Sequence, residues 1–213
     1  MIKVSNLLTG CPRVTEYYYS TQPTAAHDEQ TFSFSLLGSN LRFTTDSGVF
    51  SRRTVDYGSR TLLTALEQAT IAPHKILDVG CGYGPLGLAL ARRFPDSQVT
   101  MSDVNKRALA LARRNADANQ VKNVTVCQSD GYAAIPATDY DLIITNPPVR
   151  AGKKVVHGIL AGAGDHLVSG GTLYVVLQKK QGAPSAKKLM EATFSNCQVV
   201  LKQKGYYVLR SER

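Results

Sequence analysis

Two hydrophobic periods divide the chain. Apolar and polar residues alternate over Thr31-Phe-Ser-Phe-Ser-Leu-Leu37, and again over Leu41-Arg-Phe-Thr-Thr45 after the turn residues Gly38-Ser39-Asn40. A period of two interrupted by turn chemistry predicts a β-hairpin. Asp46-Ser47-Gly48 breaks the pattern. Val55, Leu62, Leu63, Leu66 and Ala69 then follow helical spacing, which predicts a helix over roughly 54–70. From Ile76 onward, short apolar runs alternate with amphipathic stretches. Strands are predicted at 76–79, 98–102, 124–127, 141–145 and 171–177, and helices at 85–93, 106–119, 154–167 and 185–194. Pro85 suits the first turn of its helix. Two final strands, 198–202 and 206–210, flank Lys204-Gly205.

Strands that alternate with helices imply a mainly parallel sheet covered on both faces. The last two strands are joined too tightly for a crossover helix, so they must form an antiparallel hairpin. The expected architecture is α/β: a Rossmann-like seven-stranded sheet, last strand antiparallel, preceded by an N-terminal β-hairpin. Residues 1–30, with Tyr17-Tyr18-Tyr19 and Pro23, read as an irregular arm packed on the domain. Residues 31–213 read as a single domain, with 31–53 a hairpin and cap and 54–213 the core.

Composition adds limits. Hydrophobic residues make up 43% and charged residues 19%, enough to bury a core and too apolar for a disordered chain. No apolar run approaches the ~20 residues that span a bilayer, and the start lacks a secretory signal's apolar stretch, so the expected location is cytoplasmic. Cys11, Cys81, Cys127 and Cys197 are widely spaced, as are His27, His74, His157 and His166. That spacing suggests reduced thiols and no metal site. The net charge of +9 is uneven: residues 1–149 hold 14 basic and 13 acidic side chains, residues 150–213 hold 11 and 3. A basic surplus gathered in one segment suits a polyanion.

The candidate chemistry sits at strand ends. The first core strand runs into Asp78-Val79-Gly80-Cys81-Gly82-Tyr83-Gly84-Pro85. A glycine loop between a strand and a helix lets backbone approach a ligand closely. Gly82-Tyr-Gly84-Pro-Leu-Gly87 matches the dinucleotide pattern, with Asp103 placed to hold a ribose. In the other frame Asp78 precedes Gly80, Gly82 and Gly84. A carboxylate there suits S-adenosylmethionine, whose amino acid end is cationic, and repels a pyrophosphate. Asp130 and Gly131, after the third strand, offer an acceptor and a backbone edge to an adenine, although Asp-Gly is also ordinary turn chemistry. Carboxylates at the ends of three consecutive strands (Asp78, Asp103, Asp130) lie where open parallel sheets bind ligands.

The fourth strand ends in Asn146-Pro147-Pro148-Val149. Two prolines cannot continue a central strand, so the chain leaves the sheet there. An exocyclic amine on a base is a weak nucleophile because its lone pair is delocalised. The Asn146 side-chain oxygen and the Pro147 carbonyl are placed to accept its two hydrogens and aim that lone pair; Pro147 and Pro148 hold the turn stiff. Basic residues follow: Arg150, Lys153 and Lys154 after this turn, and Lys179 and Lys180 after the next strand. Such side chains contact phosphates without reading sequence.

These residues resemble the class I methyltransferases of the small methyltransferase family, specifically the RsmC-type 16S ribosomal RNA guanine-N2 methyltransferases. The resemblance covers roughly residues 30–210. It rests on Gly48-Val-Phe-Ser-Arg52, Asp56-Tyr-Gly-Ser-Arg-Thr-Leu-Leu63, Asp78-Val-Gly-Cys-Gly-Tyr-Gly84, Ser102-Asp-Val104 and Asn146-Pro-Pro148. It implies a guanine amino-methyltransferase that uses S-adenosylmethionine and acts on ribosomal RNA or the small subunit. It further implies that Phe50 to Arg52 and Asp56 to Gly58 form a cap over cofactor and base, with Phe50, Asp56 and Gly58 toward the cofactor and Arg52 toward RNA. The chain departs from the family in two ways. It has one methyltransferase domain where longer members have two. Val149 also stands where an aromatic residue usually stacks on the base, which leaves Phe50 or Tyr57 to substitute. Two other readings stay open: a protein glutamine methyltransferase, since those enzymes also use Asn-Pro-Pro, and a non-catalytic cofactor- or RNA-binding assembly factor.

Overall fold

A computed structural model describes residue 21 and residues 23–213. The Tyr17-Tyr18-Tyr19 run and most of the expected arm lie outside the described residues. Strands β1 (Gln30–Leu36) and β2 (Ser39–Thr45) form an antiparallel hairpin. Its turn is shorter than expected: Leu37 and Gly38 both take positive φ, which closes a two-residue turn and leaves Ser39 and Asn40 inside the strand. The core then runs α1 (Tyr57–Glu67), β3 (Lys75–Val79), α2 (Pro85–Arg93), β4 (Gln98–Asp103), α3 (Lys106–Ala118), β5 (Val124–Gln128), β6 (Tyr140–Thr145), α4 (Lys153–His166), β7 (Leu167–Gln178), α5 (Ala183–Phe194), β8 (Gln198–Gln203) and β9 (Tyr206–Glu212).

Seven strands form one sheet in the order β5-β4-β3-β6-β7-β9-β8. Only β9 runs against its neighbours, pairing antiparallel with both β7 and β8. The expected fold is therefore the observed one, with small shifts at element ends. The first helix is shorter than 54–70 because Asp56 caps it: its carboxylate accepts the Ser59 amide, which fixes the start at Tyr57. Strand β7 begins four residues early, with Leu167 opposite Tyr140, and then shifts register so that Thr172 faces Leu142.

The pleat divides the core. Ile76, Leu142, Ile144 and Val176 face α1, α2, α3 and the hairpin; Leu77, Ile143, Val175 and Leu177 face α4 and α5. Each fully buried aliphatic side chain contributes roughly 1.5–3 kcal/mol. The hairpin is fastened to α3 by two asparagines one turn apart. Asn115 Oδ1 accepts the Thr44 amide at 2.7 Å and its Nδ2 donates to the Thr44 and Tyr83 carbonyls. Asn119 does the same for both backbone groups of Arg42. These amides satisfy a strand edge that has no strand beside it.

Strands β3 and β6 are neighbours, and their chains leave the sheet on opposite sides. Such a switch point opens a crevice at the carboxyl ends of the strands. The Thr145 hydroxyl donates to the Val79 carbonyl at 2.8 Å and holds the two strand ends level. The glycine loop and the Asn-Pro-Pro turn therefore face one space. No helix among the described residues is long and apolar enough to cross a membrane.

Candidate active site

A cavity of about 240 Å³ opens at this switch point. On one side it is floored by the loop after β3. The Gly80 and Cys81 amides donate to the Ser102 carbonyl, and the Gly82 amide donates to Asp103 Oδ2 at 2.8 Å. Gly80 and Gly82 both have positive φ, which side chains rarely adopt. A Cβ at either position meets no protein atom within 4 Å. The glycines thus leave free space beside the cavity, a cradle for a ligand rather than for another part of the chain.

The three strand-end carboxylates separate. Asp103 lines the cavity. Burial pushes its carboxyl above the ordinary range, against the amides of Asn105 and Gly82 that hold it down. Asp78 does not reach the cavity. It is fully buried, and its Oδ2 accepts the Gly87 amide at 2.9 Å in the first turn of α2. Its other oxygen, Oδ1, is buried without a hydrogen-bond partner among the described residues. Burial raises its pKa to about 7, with the nearby Asp103 charge adding to the rise and the Gly87 amide opposing it. Asp130 is exposed and stands outside the lining, whereas its neighbours Ser129 and Gly131 line it. Gly84 is buried against Leu88 and Ala112 and serves as the left-handed N-cap of α2.

The opposite wall is the turn after β6. Asn146, Pro147, Pro148, Val149 and Arg150 all line the cavity. Asn146 is held from far along the chain: its Nδ2 donates to Asp56 Oδ1 at 3.0 Å and to Ser59 Oγ at 3.1 Å. Both amide hydrogens are thereby used, which leaves Oδ1 as its only uncommitted polar atom. The same Asp56 oxygen caps α1, so helix start and asparagine share one anchor. Gly58 lies behind them, buried and outside the lining. A Cβ there would stand 3.0 Å from Asp56 Oδ1, 3.0 Å from Tyr206 Cε1 and 3.4 Å from Asn146 Nδ2. Gly58 therefore permits close packing behind Asn146 and does not face the cavity as expected.

Phe50 and Asp56 line the cavity, and Phe50 is the most exposed large apolar side chain among the described residues, at 43%. Tyr57 instead packs on Tyr206, with ring centres 5.5 Å apart, between the cations of Arg60 and Lys204. Sequence reasoning missed Ser59, Asn105, Gln178, Gln181 and Tyr206, which also line the space. Ser59 lies within the Asp56–Leu63 segment. Asn105 was signalled by its place before a helix, which it caps through the Arg107 and Ala108 amides. Gln178 and Tyr206 carried no local signal.

Residues 40–210 match the description "Methyltransferase small domain". The chain belongs to the methyltransferase small domain family. Within this family it is 47% identical over 201 residues to the uncharacterized protein YbxB of Bacillus subtilis (strain 168), covering 94% of this chain and all of that one. It is 32% identical over 186 residues to the ribosomal RNA small subunit methyltransferase C of Pseudomonas entomophila (strain L48), covering 85% of this chain and 54% of that one. Among solved structures it superposes on the T. thermophilus 16S rRNA N2 methyltransferase RsmC, in complex with AdoMet and guanosine. The TM-score is 0.78 and the identity 29%, over 87% of this chain and 50% of that one. This methyltransferase domain thus spans about half the length of the RsmC proteins it matches.

Outside the cavity mouth, Lys153, Lys154, Lys179 and Lys180 are all exposed. Lys153 also lines a second space, between α4 and α5. Arg52 lies apart from the cavity lining, with its guanidinium donating to Asp28. Among the described residues no group of three His, Cys, Asp or Glu side chains is placed to hold a metal ion.

Proposed function

We propose that this chain methylates the exocyclic N2 amine of guanine in 16S ribosomal RNA, with S-adenosylmethionine as cofactor. The observation that carries the reading is the fixed amide of Asn146. With both hydrogens given to Asp56 and Ser59, its oxygen is an acceptor and nothing else. A side chain meant to bind an amine needs that polarity, and a freely turning amide would present it only part of the time.

S-adenosylmethionine supplies a methyl group made electrophilic by its sulfonium. The space beside Gly80 and Gly82 fits a ligand that lies close to backbone. Asp103 faces the cavity with its carboxylate braced by two amides, suited to a ribose hydroxyl pair. The backbone about Gly131 is left for the adenine edge. Opposite, Asn146 Oδ1 and the Pro147 carbonyl accept the two amine hydrogens and turn the nitrogen lone pair toward the methyl. Holding two reactants in line accounts for up to about 7–11 kcal/mol of barrier. A strong base is unnecessary, because the methylated ammonium is acidic and loses its proton to water.

Arg150, Lys153, Lys154, Lys179 and Lys180 give the RNA a docking rim of positive charge. The amine reading carries over to RNA through this rim and through the relatives named for ribosomal RNA. The test supplies labelled S-adenosylmethionine with naked 16S RNA and with small subunits, followed by nucleoside mass spectrometry. The expected product is N2-methylguanosine. Label found only in protein would overturn the proposal.

A further inference from the structure

The antiparallel direction of β9 gives the cavity a side chain that a wholly parallel sheet could not supply, beside one from the end of β7. Because β9 runs backwards, its first residue, Tyr206, arrives at the carboxyl edge of the sheet directly opposite Gln178, the last residue of β7. Both are half-buried and both line the cavity that holds Asn146. Gln178 Nε2 donates to the Tyr206 hydroxyl at 2.6 Å. The Tyr206 ring is held on two sides: by the Tyr57 ring, and by Gly58, which also lies against Asp56 and the Asn146 amide. The Lys179 amide donates to the Gly205 carbonyl at 2.8 Å, which locks the strand ends that carry the pair.

We infer that Gln178 and Tyr206 select the base, by reading the edge of guanine next to the amine that Asn146 holds. The inference rests on the proposed guanine methylation and deepens it. It follows from counting donors and acceptors. A glutamine amide has two hydrogens and one oxygen, and a phenol has one hydrogen. With one amide hydrogen spent on the phenol oxygen, the pair still offers one acceptor (Gln178 Oε1) and donors from the Tyr206 hydroxyl and the second amide hydrogen. Beside its N2 amine, guanine carries a donor at N1–H and an acceptor at O6. The two sets are complementary. Adenine and cytosine present a bare ring nitrogen next to their amine, which would set acceptor against acceptor at Gln178. A base with the wrong pattern leaves buried polar groups unpaired, and sites of this kind discriminate by about 10⁴–10⁵-fold. Bases taken out of a stack are read on this edge. Tyr206 also supplies a rigid ring at the site, where Val149 offers none.

The experiment uses RNA whose target guanine, located first by mass spectrometry, is replaced with 2-aminopurine. That base keeps the exocyclic amine but has no O6 and no hydrogen on N1. Wild type is expected to prefer guanine by about 10³-fold or more in kcat/KM. Tyr206→Phe and Gln178→Leu are each expected to lower kcat/KM on guanine by about 10–100-fold while leaving 2-aminopurine nearly unchanged, so that the preference collapses. Calorimetric S-adenosylmethionine affinity, unchanged in both variants, shows that each has folded. Wild-type formation of N2-methylguanosine with an undiminished preference in both variants would overturn this inference alone. Absence of N2-methylguanosine from the wild-type reaction would overturn the proposed function with it.

Discussion

The turn after β3 and the turn after β6 leave neighbouring strands and face one cavity, yet they are made rigid by opposite means. The first is a glycine loop secured within its own surroundings. Its amides reach Ser102 and Asp103 on the next strand, and burial raises the carboxyls of Asp78 and Asp103 beside it. The second is a proline turn whose Asn146 side chain is held by residues 87 and 90 positions earlier in the chain. One side of the cavity is thus formed by backbone, the other by side chains that only the finished fold brings together. Backbone suits a cofactor, and side chains brought together by the fold suit a particular substrate.

That division predicts where substitutions should act. The largest effect is expected from Asn146→Ala, with methyl transfer falling about 10²–10³-fold, the scale of one missing oriented group at a reacting centre. Isothermal titration should show cofactor affinity unchanged, and a parallel loss of both would break the comparison. Asp56→Ala should act through Asn146. Transfer is expected to fall about tenfold or more, mainly in kcat, and loss of the cap should lower stability by about 1 kcal/mol. Asp56→Asn, which keeps a capping oxygen, should restore most of the stability in a urea titration. Reversing the charge of Lys153, Lys154, Lys179 and Lys180 should weaken RNA binding and flatten its salt dependence, by a slope of about one for each phosphate no longer neutralised, with cofactor binding intact. A filter-binding series across salt concentrations checks this.

The glycine side should be read in stability and its pH dependence, with no direct change in methyl transfer. The Asp78 carboxyl has a folded pKa of about 7, against 3.8 for an ordinary aspartate. Between these values the folded protein holds a proton that the unfolded chain has lost, so this group's contribution to stability declines as pH rises, by at most about 1.4 kcal/mol per pH unit. Above pH 7 the decline stops. Asp78→Asn keeps an acceptor for Gly87 and cannot ionise. Its stability relative to wild type should therefore rise from pH 4 to pH 7 and then level off in urea unfolding; a gap independent of pH would show that Asp78 is less desolvated than its burial implies.

The same contrast explains how much was readable in advance. The sheet, its order of elements and the glycine loop follow from local periods and from turn residues at fixed spacing. Asn146 stood out because prolines after a strand are a local anomaly. The glycine frame marked Asp78 at the end of a strand, but its complete burial and its bond to the Gly87 amide belong to the packing of α2. The support of Asn146 by Asp56 and Ser59, and the meeting of Gln178 with Tyr206, join distant segments. No window of sequence contains both partners. The hairpin clasp by Asn115 and Asn119 escaped for a related reason: in a helix pattern they read only as polar surface.

The capping of α1 by Asp56 has a consequence for temperature. Helix ends open more readily than the proteins that contain them. The first turn of α1 is such an end, and the carboxylate that closes it is the one that holds Asn146. Opening of that turn would release the asparagine while leaving the sheet intact. Heating should therefore silence methyl transfer reversibly, some degrees below the point at which the protein melts.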